Sequence, residues 1–334
     1  MKHEEIDVII PVYRPDEKLH RLLLALERQT VKPSRILLVN TERELFDDAC
    51  LKGTEHVEVI HIRKSEFDHG GTRHMAAEML QGAFLLFLTQ DAVPADDCLI
   101  ERLYEAFATG RESDRQQPVA AAYARQLPMP DCHVIERYTR SFNYGKESRI
   151  KTADDLETLG IKTFFCSNVC AMYRRSIYEA LGGFERHTIF NEDMIFAGKL
   201  IQNGYAVAYC AEAKVYHSHN YSGLQQFHRN FDLGVSQAEH PEIFQMVRSE
   251  SEGIRMVKQT AAFLCHSKRG YLLPKLIWQS GWKYLGYQLG KRYEKLPEWL
   301  IRCCTMSPGY WEHQNESGRQ LSRHIVSPCS EVLF

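Results

Sequence analysis

The chain has 334 residues, 44% of them hydrophobic and 25% charged, the proportions of a protein that buries a substantial core. That length fits one large domain with an extension, or two domains, and the composition excludes a disordered, collagenous or disulfide-scaffold chain. Lys and Arg number 41 against 43 Asp and Glu, a net charge of −2, so no global basic field points to nucleic acid as a partner.

No run reaches about 18 uninterrupted apolar residues, so no membrane-spanning helix is expected. The amino end, MKHEEIDVIIPVYRP, shows no basic and apolar regions of a signal peptide, so a cytosolic chain is expected. The 10 cysteines are scattered without a CxxC pair and read as small buried hydrophobes. A structural zinc needs closely spaced ligand pairs, and only Cys166 with Cys170 approaches that spacing.

In chain order, Ile6 to Val12 is a β-branched strand run, and Leu19 to Leu26 carries apolar residues at helical spacing. Ile36 to Val39 and Val57 to Ile62 are two further strands, Gly70–Gly71 punctuates, and Thr72 to Leu80 is a helix. Phe84 to Leu88 is a fourth apolar strand, followed by the polar turn Thr89–Gln90–Asp91. This alternation predicts an α/β fold with a mostly parallel sheet covered by helices. Such sheets bind ligands at the carboxyl ends of their strands. The polar positions just past each run therefore matter most: Pro11, Val12 and Tyr13; Asn40; Phe67, Asp68 and His69; and Gln90 with Asp91.

The middle is less regular. Arg111 to Gln117 reads as a loop, Val119 to Tyr123 as a strand, and Ser141 to Asp155 as a polar connection. Phe164 to Tyr173 is regular again, Ser176 to Leu181 is a helix ended by Gly182–Gly183, and 192–203 is another helix. Ala206 to Tyr209 and Lys214 to His217 read as two short strands, and from Tyr221 to near Ser307 the pattern is helical. Glu331 to Phe334 read as the stub of a protease-cleavable tag and are set aside.

Several local clusters could carry chemistry. Asp91, in a turn closed by Pro94, suits a hard cation that also takes phosphate oxygens, or a plain turn aspartate. Glu192 and Asp193 open an amphipathic helix, where acids complement the helix dipole; one of them could equally serve as a general base. His217 and His219, two apart, share a face of an extended segment and are either metal ligands or polar strand ends. Gly70–Gly71, ringed by Arg63, Lys64 and Arg73, could let backbone amides approach phosphate. Residues 268–302 hold eight Lys/Arg, two acids and seven Tyr/Trp. They fit either a helix lying on an anionic membrane or a packing helix with a solvated basic face.

Taken together, the ordered segments DVIIPVYRP, FDHGGTRHMAA, FLLFLTQDAVP, CSNVCAMYRRSIYEALGGF, NEDMIFAGKLI, VYHSHNYS and YLGYQLGKRYEKLP resemble the inverting family 2 glycosyltransferases with a GT-A fold. They resemble the bacterial rhamnosyltransferase branch most, over about residues 5–300. The resemblance implies a GT-A (nucleotide-diphospho-sugar transferase, Rossmann-like) domain at 1–220 and a helical extension at 221–310. A tail, in part tag-derived, occupies 311–334. It implies transfer of a sugar from a nucleotide donor to a hydroxyl, with inversion. Pro11, Val12, Tyr13 and Arg14 match the loop that holds the base, and Asn40 stands where the family often has Asp. Asp68, Gly71 and Arg73 belong to the base-and-phosphate segment, followed by Gln90 and Asp91. Asp91 matches the last acid of the metal-binding DxD, whose first acid is here Thr89. Asp193 matches the catalytic base, oriented by Glu192, and His217 or His219 would complete the site of a Mg²⁺ or Mn²⁺ ion or that of the diphosphate.

The implied partners are dTDP-β-L-rhamnose as donor and a lipid-linked saccharide of O-antigen or polysaccharide assembly as acceptor. The enzyme would sit peripherally at the inner face of the cell membrane, with the extension contacting membrane, acceptor or a second copy. Two rival readings are the same chemistry with UDP-galactose or UDP-N-acetylglucosamine, and a non-catalytic nucleotide-sugar-binding protein.

Overall fold

A computed structural model describes residues 3–109, 117–246 and 249–312. Apart from Gln117, the loop expected at 111–117 lies outside the described residues, as does the tag stub.

The nine strands are β1 (Ile6–Tyr13), β2 (Arg35–Thr41), β3 (Val57–Ile62), β4 (Phe84–Leu88), β5 (Val93–Pro94), β6 (Val119–Leu127), β7 (Arg149–Lys151), β8 (Cys170–Arg174) and β9 (Ala206–Tyr216). They form one sheet in the order β3-β2-β1-β4-β8-β6-β9-β5, with β7 also on β9. Register is parallel along β3-β2-β1-β4 and between β6 and β9. It turns antiparallel where β8, β5 and β7 join. The sheet is thus mostly parallel, as expected, and the carboxyl ends of β1, β2 and β4 share one edge.

The pleat explains the two-sided core. Ile6, Val8, Ile10 and Val12 point into one apolar cluster and Ile9 into the other, because successive strand side chains alternate faces. The flanking helices of this half are α1 (Glu17–Glu27), α2 (His69–Glu78), α3 (Leu99–Thr109), α4 (Val134–Asn143), α5 (Leu156–Leu159), α6 (Arg175–Ala180) and α7 (Glu192–Gln202). In α1, Leu19, Leu22, Leu23 and Leu26 are buried on one face, and Asp16 caps the start by accepting the Lys18 amide.

Three expectations change. The two short strands at 206–209 and 214–217 are one strand, β9, whose pairing with β6 jumps between Ala124 and Arg125. Exposed Glu212 breaks the apolar alternation there while the backbone stays extended, which is the mark of a bulge. The polar connection at 141–155 contains the end of α4 and all of β7. Of 164–173, only the part from Cys170 onward is strand; the remainder is a loop whose amides serve the acid pair described below.

The helical extension comprises α8 (Gly223–Glu239), α9 (Pro241–Phe244), α10 (Ser249–His266), α11 (Leu273–Gly290) and α12 (Glu298–Cys304). It is packed onto the first half: Ile243 and Phe244 join the core beside α7, and Ser236 donates to the Phe190 carbonyl at 2.7 Å. Helices α8 and α11 approach closely because Gly286 and Gly290 face the carbonyls of Phe227 and Phe231. A Cβ there would come within 2.2 and 2.1 Å of those oxygens. Burial continues past Ser307, since Trp311 is packed against α8 and α12 residues. No helix among the described residues is long and apolar enough to cross a membrane.

Candidate active site

A cleft of about 380 Å³ opens at the carboxyl edge of β4 and is lined by Asp91 on one side and Glu192 and Asp193 on another. The two acid positions, about a hundred residues apart in the chain, therefore meet at one hollow.

The Asp91 side is built from strand ends. Gln90 holds the end of β1: its Oε1 accepts the Tyr13 amide at 2.8 Å, and its Nε2 donates to the Tyr13 carbonyl at 3.0 Å. In the next position, Asp91 Oδ2 lies 3.6 Å from His217 Nε2 and 3.5 Å from His219 Nε2. Ligand atoms of these three residues fall within 4.8 Å of one another. His217 follows the end of β9 and is buried; burial first, then Arg140, hold its imidazole well below the usual range, in the neutral form. Its Nδ1 pairs with Gln126 Oε1 at 3.0 Å. That oxygen also receives the Arg140 guanidinium, which can only donate, so the amide orientation follows. The Gln126 amide nitrogen donates to Tyr144 Oη at 2.5 Å and Ser167 Oγ at 3.0 Å. An acceptor at Nδ1 calls for the proton there, leaving the Nε2 lone pair on the Asp91 side. One carboxylate and two imidazoles with a hydrogen bond behind one of them is a donor set that fits a divalent ion.

The opposite side is the start of α7. Asn191, in a left-handed conformation (φ 66°), turns the chain into the helix and bonds Ser236 of α8 at 3.3 Å. Glu192 is buried against Arg73 at 3.2 Å, and its Oε1 accepts from Asn168 Nδ2 at 3.1 Å. Burial works against its charge, but Arg73, His69 and the Asn168 amide together hold its carboxyl below the usual range. Asp193 is half-buried and accepts two backbone amides, from Asn168 at 2.9 Å and Met194 at 2.8 Å. Burial, and then the adjacent Glu192 charge, push its carboxyl up to about 7 despite those amides. Two neighbouring acids are thus driven apart, one fixed as an anion and one able to exchange a proton near neutrality.

The other expected positions fall differently. Pro11, Val12, Tyr13, Arg14 and Asn40 stand at the same sheet edge, but outside the lining of this cleft. Arg14 has a φ of 49° and lies over the Tyr13 ring at 5.2 Å. Asn40 is fully buried, donates to the Glu42 carbonyl at 2.9 Å and pairs with His61 at 3.0 Å, while its Oδ1 has no partner among the described residues. Asp68 caps α2, with one oxygen on the Gly71 amide at 2.6 Å and the other on the Thr188 amide at 3.2 Å; its side chain does not line the cleft. Gly70 and Gly71 have a packing reason: a Cβ would come within 2.0 Å of the Glu185 carbonyl and 2.6 Å of the Arg186 carbonyl. Arg73 does line the cleft, neutralised by Glu192.

Gln126, Arg140, Asn168 and Arg229 line the cleft without having been singled out in the sequence, and Lys283, expected only as one of the basic residues of 268–302, lines it too. Asn168 had a visible signal, lying inside the segment CSNVC. Arg140 had only the Glu136–Arg140 spacing of a helix surface pair. Arg229 and Lys283 come from α8 and α11, so the extension completes the cleft.

Similarity to known proteins shows the family. The description "Glycosyl transferase family 2" matches residues 7–182. The O-antigen chain rhamnosyltransferase RfbN of Salmonella typhimurium is 38% identical over 320 residues, covering 95% of this chain and 99% of that one. The O-antigen chain rhamnosyltransferase WbaN of Salmonella anatum is 39% identical over 322 residues, covering 94% and 98%. Among solved structures, the mannosyltransferase PcManGT of Pyrobaculum calidifontis, in complex with GDP-Man and Mn²⁺, superposes with a TM-score of 0.54 at 13% identity. It covers 88% of this chain and 89% of its own, a likeness of fold. The chain has the GT-A fold and belongs to glycosyl transferase family 2, an inverting family, and it is a glycosyltransferase.

Proposed function

We propose that the enzyme transfers L-rhamnose from dTDP-β-L-rhamnose to a hydroxyl of a lipid-linked saccharide in O-antigen or related polysaccharide assembly, giving an α-L-rhamnoside. The observation that carries the reading is the meeting of Asp91 and Asp193 at one cleft. Its rhamnose and lipid-linked parts rest on the likeness to RfbN and WbaN along nearly the whole chain.

In this reading Asp193 accepts the proton of the acceptor hydroxyl as its oxygen attacks the anomeric carbon and the bond to the diphosphate breaks on the opposite face. Glu192 remains ionised, held by Arg73, and keeps the neighbouring carboxyl basic enough near pH 7. The backbone amides of Asn168 and Met194 fix the orientation of Asp193. Asp91, His217 and His219 would hold a divalent ion, with Mn²⁺ suited better than Mg²⁺ because two of the three donors are imidazoles. When bound, the ion offsets the negative charge that gathers on the leaving diphosphate. The nucleotide side is assigned to Pro11 to Arg14 and Gln90 at the strand ends, with Asp68 and Gly71 shaping the start of α2 and Asn40 buried at the end of β2 behind it, and Arg140 and Arg229 add positive charge to the cleft.

The enzyme would sit at the inner face of the cell membrane without spanning it. Of the seven aromatics in 268–302, Tyr271, Trp278, Tyr284 and Trp299 are exposed while Tyr287 is buried and Trp282 and Tyr293 pack partly against α8 and its neighbours. The segment therefore divides between packing residues and exposed aromatics, with Lys275, Lys291 and Arg292 exposed as well, a composition that supports an interfacial contact. A donor screen reading nucleoside diphosphate release, with dTDP-rhamnose, UDP-galactose and UDP-N-acetylglucosamine as substrates and EDTA as control, tests the reading. Release from dTDP-rhamnose that EDTA abolishes supports it; preference for either UDP-sugar overturns the donor assignment.

A further inference from the structure

Lys283 of α11 is the common wall of three hollows. It lines the cleft that holds Asp91 and Asp193, and a hollow of about 340 Å³ that runs past His133, Tyr221 and Lys275. It also closes the end of a groove of about 500 Å³ between α8, α10 and α11. That groove is walled mainly by hydrophobic side chains: Leu233 from α8, Ile254, Met256 and Val257 from α10, and Tyr284 from α11. Ile254 and Tyr284 of its lining are exposed, as are Ile277 and Trp278 on α11. Monomeric proteins seldom leave such a contiguous apolar surface without a ligand or partner.

The cation at the junction is unpaired. Among the described residues Lys283 has no hydrogen bond and no ion pair, although Glu136, Arg140 and Arg229 surround it. Arg140 is engaged by Glu136 at 2.8 Å, whereas Arg229 lies over the Phe190 ring at 4.5 Å. An anion at this point would meet two cations not matched by carboxylates. An apolar trough that shares Lys283 with the cleft holding the catalytic acids has the layout of a chain, a charged headgroup and a reacting sugar in sequence.

We propose that the groove between α8, α10 and α11 holds the isoprenoid chain of a lipid diphosphate-linked acceptor, and that Lys283, with Arg229, receives its diphosphate at the mouth of the catalytic cleft. The proposal rests on the transferase reading above and adds the site for the part of the acceptor remote from the reaction. Remote binding of this kind positions the reacting hydroxyl.

Binding of farnesyl diphosphate, farnesol and inorganic diphosphate to the full chain, below micellar concentrations and in EDTA so that no metal bridges the probe, tests it. Farnesyl diphosphate is expected to bind at least tenfold more tightly than either of the others. Val257→Trp on α10 and Ser280→Trp on α11, two obstructions from different walls, should each remove that gain while leaving slow release of nucleoside diphosphate from the donor in water unchanged. Lys283→Met should bring farnesyl diphosphate down to the affinity of farnesol. A photoreactive farnesyl diphosphate should label peptides of α10 and α11, which does not depend on any variant folding. Equal binding of farnesyl diphosphate and inorganic diphosphate, with donor turnover intact, overturns the groove assignment alone. Absence of donor turnover with prenyl binding intact overturns the transferase reading alone. A wild-type dimer dissociated by Ser280→Trp makes the groove an interface between copies and also overturns the proposal.

Discussion

The guanidinium of Arg73 lies 3.2 Å from the carboxylate of Glu192, and both side chains are only 7% exposed. This pair decides which of two adjacent acids carries the exchangeable proton. Glu192→Gln removes the negative charge beside Asp193 and leaves Arg73 free to stabilise the Asp193 anion. The carboxyl of Asp193, held up at about 7, should then fall. A base acts only when ionised, so kcat of the wild type should decline as pH drops through about 7, and the variant's decline should move to lower pH. A pH–rate profile of both enzymes checks the sign; an acid limb that stays in place would assign the ionisation to another group.

Removing the cation instead leaves a buried anion alone. Arg73→Met should destabilise the protein by about 3 kcal/mol, the usual effect of breaking a buried pair. Urea unfolding measures it.

The metal assignment can be tested through a residue that touches no metal. Gln126→Leu removes the acceptor that fixes the Nδ1 proton of His217, and second ligand shells of this kind change affinity by roughly 10- to 100-fold. Mn²⁺ affinity, read by electron paramagnetic resonance, should weaken by that factor. Asp91→Ala should abolish binding. Unchanged affinity in both variants would remove the ion from this site.

For the membrane face, Trp278→Ser combined with Trp299→Ser should reduce co-sedimentation with anionic vesicles severalfold without lowering stability, since both side chains are about two-thirds exposed. Higher salt should weaken wild-type binding further, because Lys and Arg on this face are screened within a Debye length of about 8 Å at physiological ionic strength. Partitioning that neither salt nor the substitutions alter contradicts an interfacial seat.

The close crossing of α8 and α11 gives a stability prediction. Gly290→Ala sets a Cβ within 2.1 Å of the Phe231 carbonyl, and overpacking of this type costs about 1–3 kcal/mol. Because α8 and α11 carry Arg229 and Lys283 into the cleft, a shift of the crossing should also raise the KM for the acceptor.

Much of this arrangement was legible before any coordinates. The buried runs of β1, β2 and β4 are continuous because both faces of the sheet are covered, so they announce a parallel core. Asp91 and Asp193 stand out because each follows or opens a strongly apolar element. Gln126 and Arg140 were not legible, and Lys283 only as a basic residue of 268–302, for a physical reason. Each sits on an element whose local pattern only separates inside from outside, and its role arises from a long-range meeting: Gln126 with His217, and Lys283 with the start of α4. The bulge in β9 was hidden for the opposite reason, as exposed Glu212 interrupts the alternation without ending the strand. Gly70 and Gly71 drew attention as a phosphate approach, whereas their closeness is to the carbonyls of Glu185 and Arg186.

The most direct test is the Asp193→Asn variant, compared with wild type for dTDP affinity and for nucleoside diphosphate release from dTDP-β-L-rhamnose in Mn²⁺. The amide keeps the size of the side chain and cannot take a proton. The account predicts dTDP binding within about threefold of wild type and turnover reduced by roughly 10²–10⁴, the usual contribution of a positioned base. Turnover that survives the substitution would contradict it.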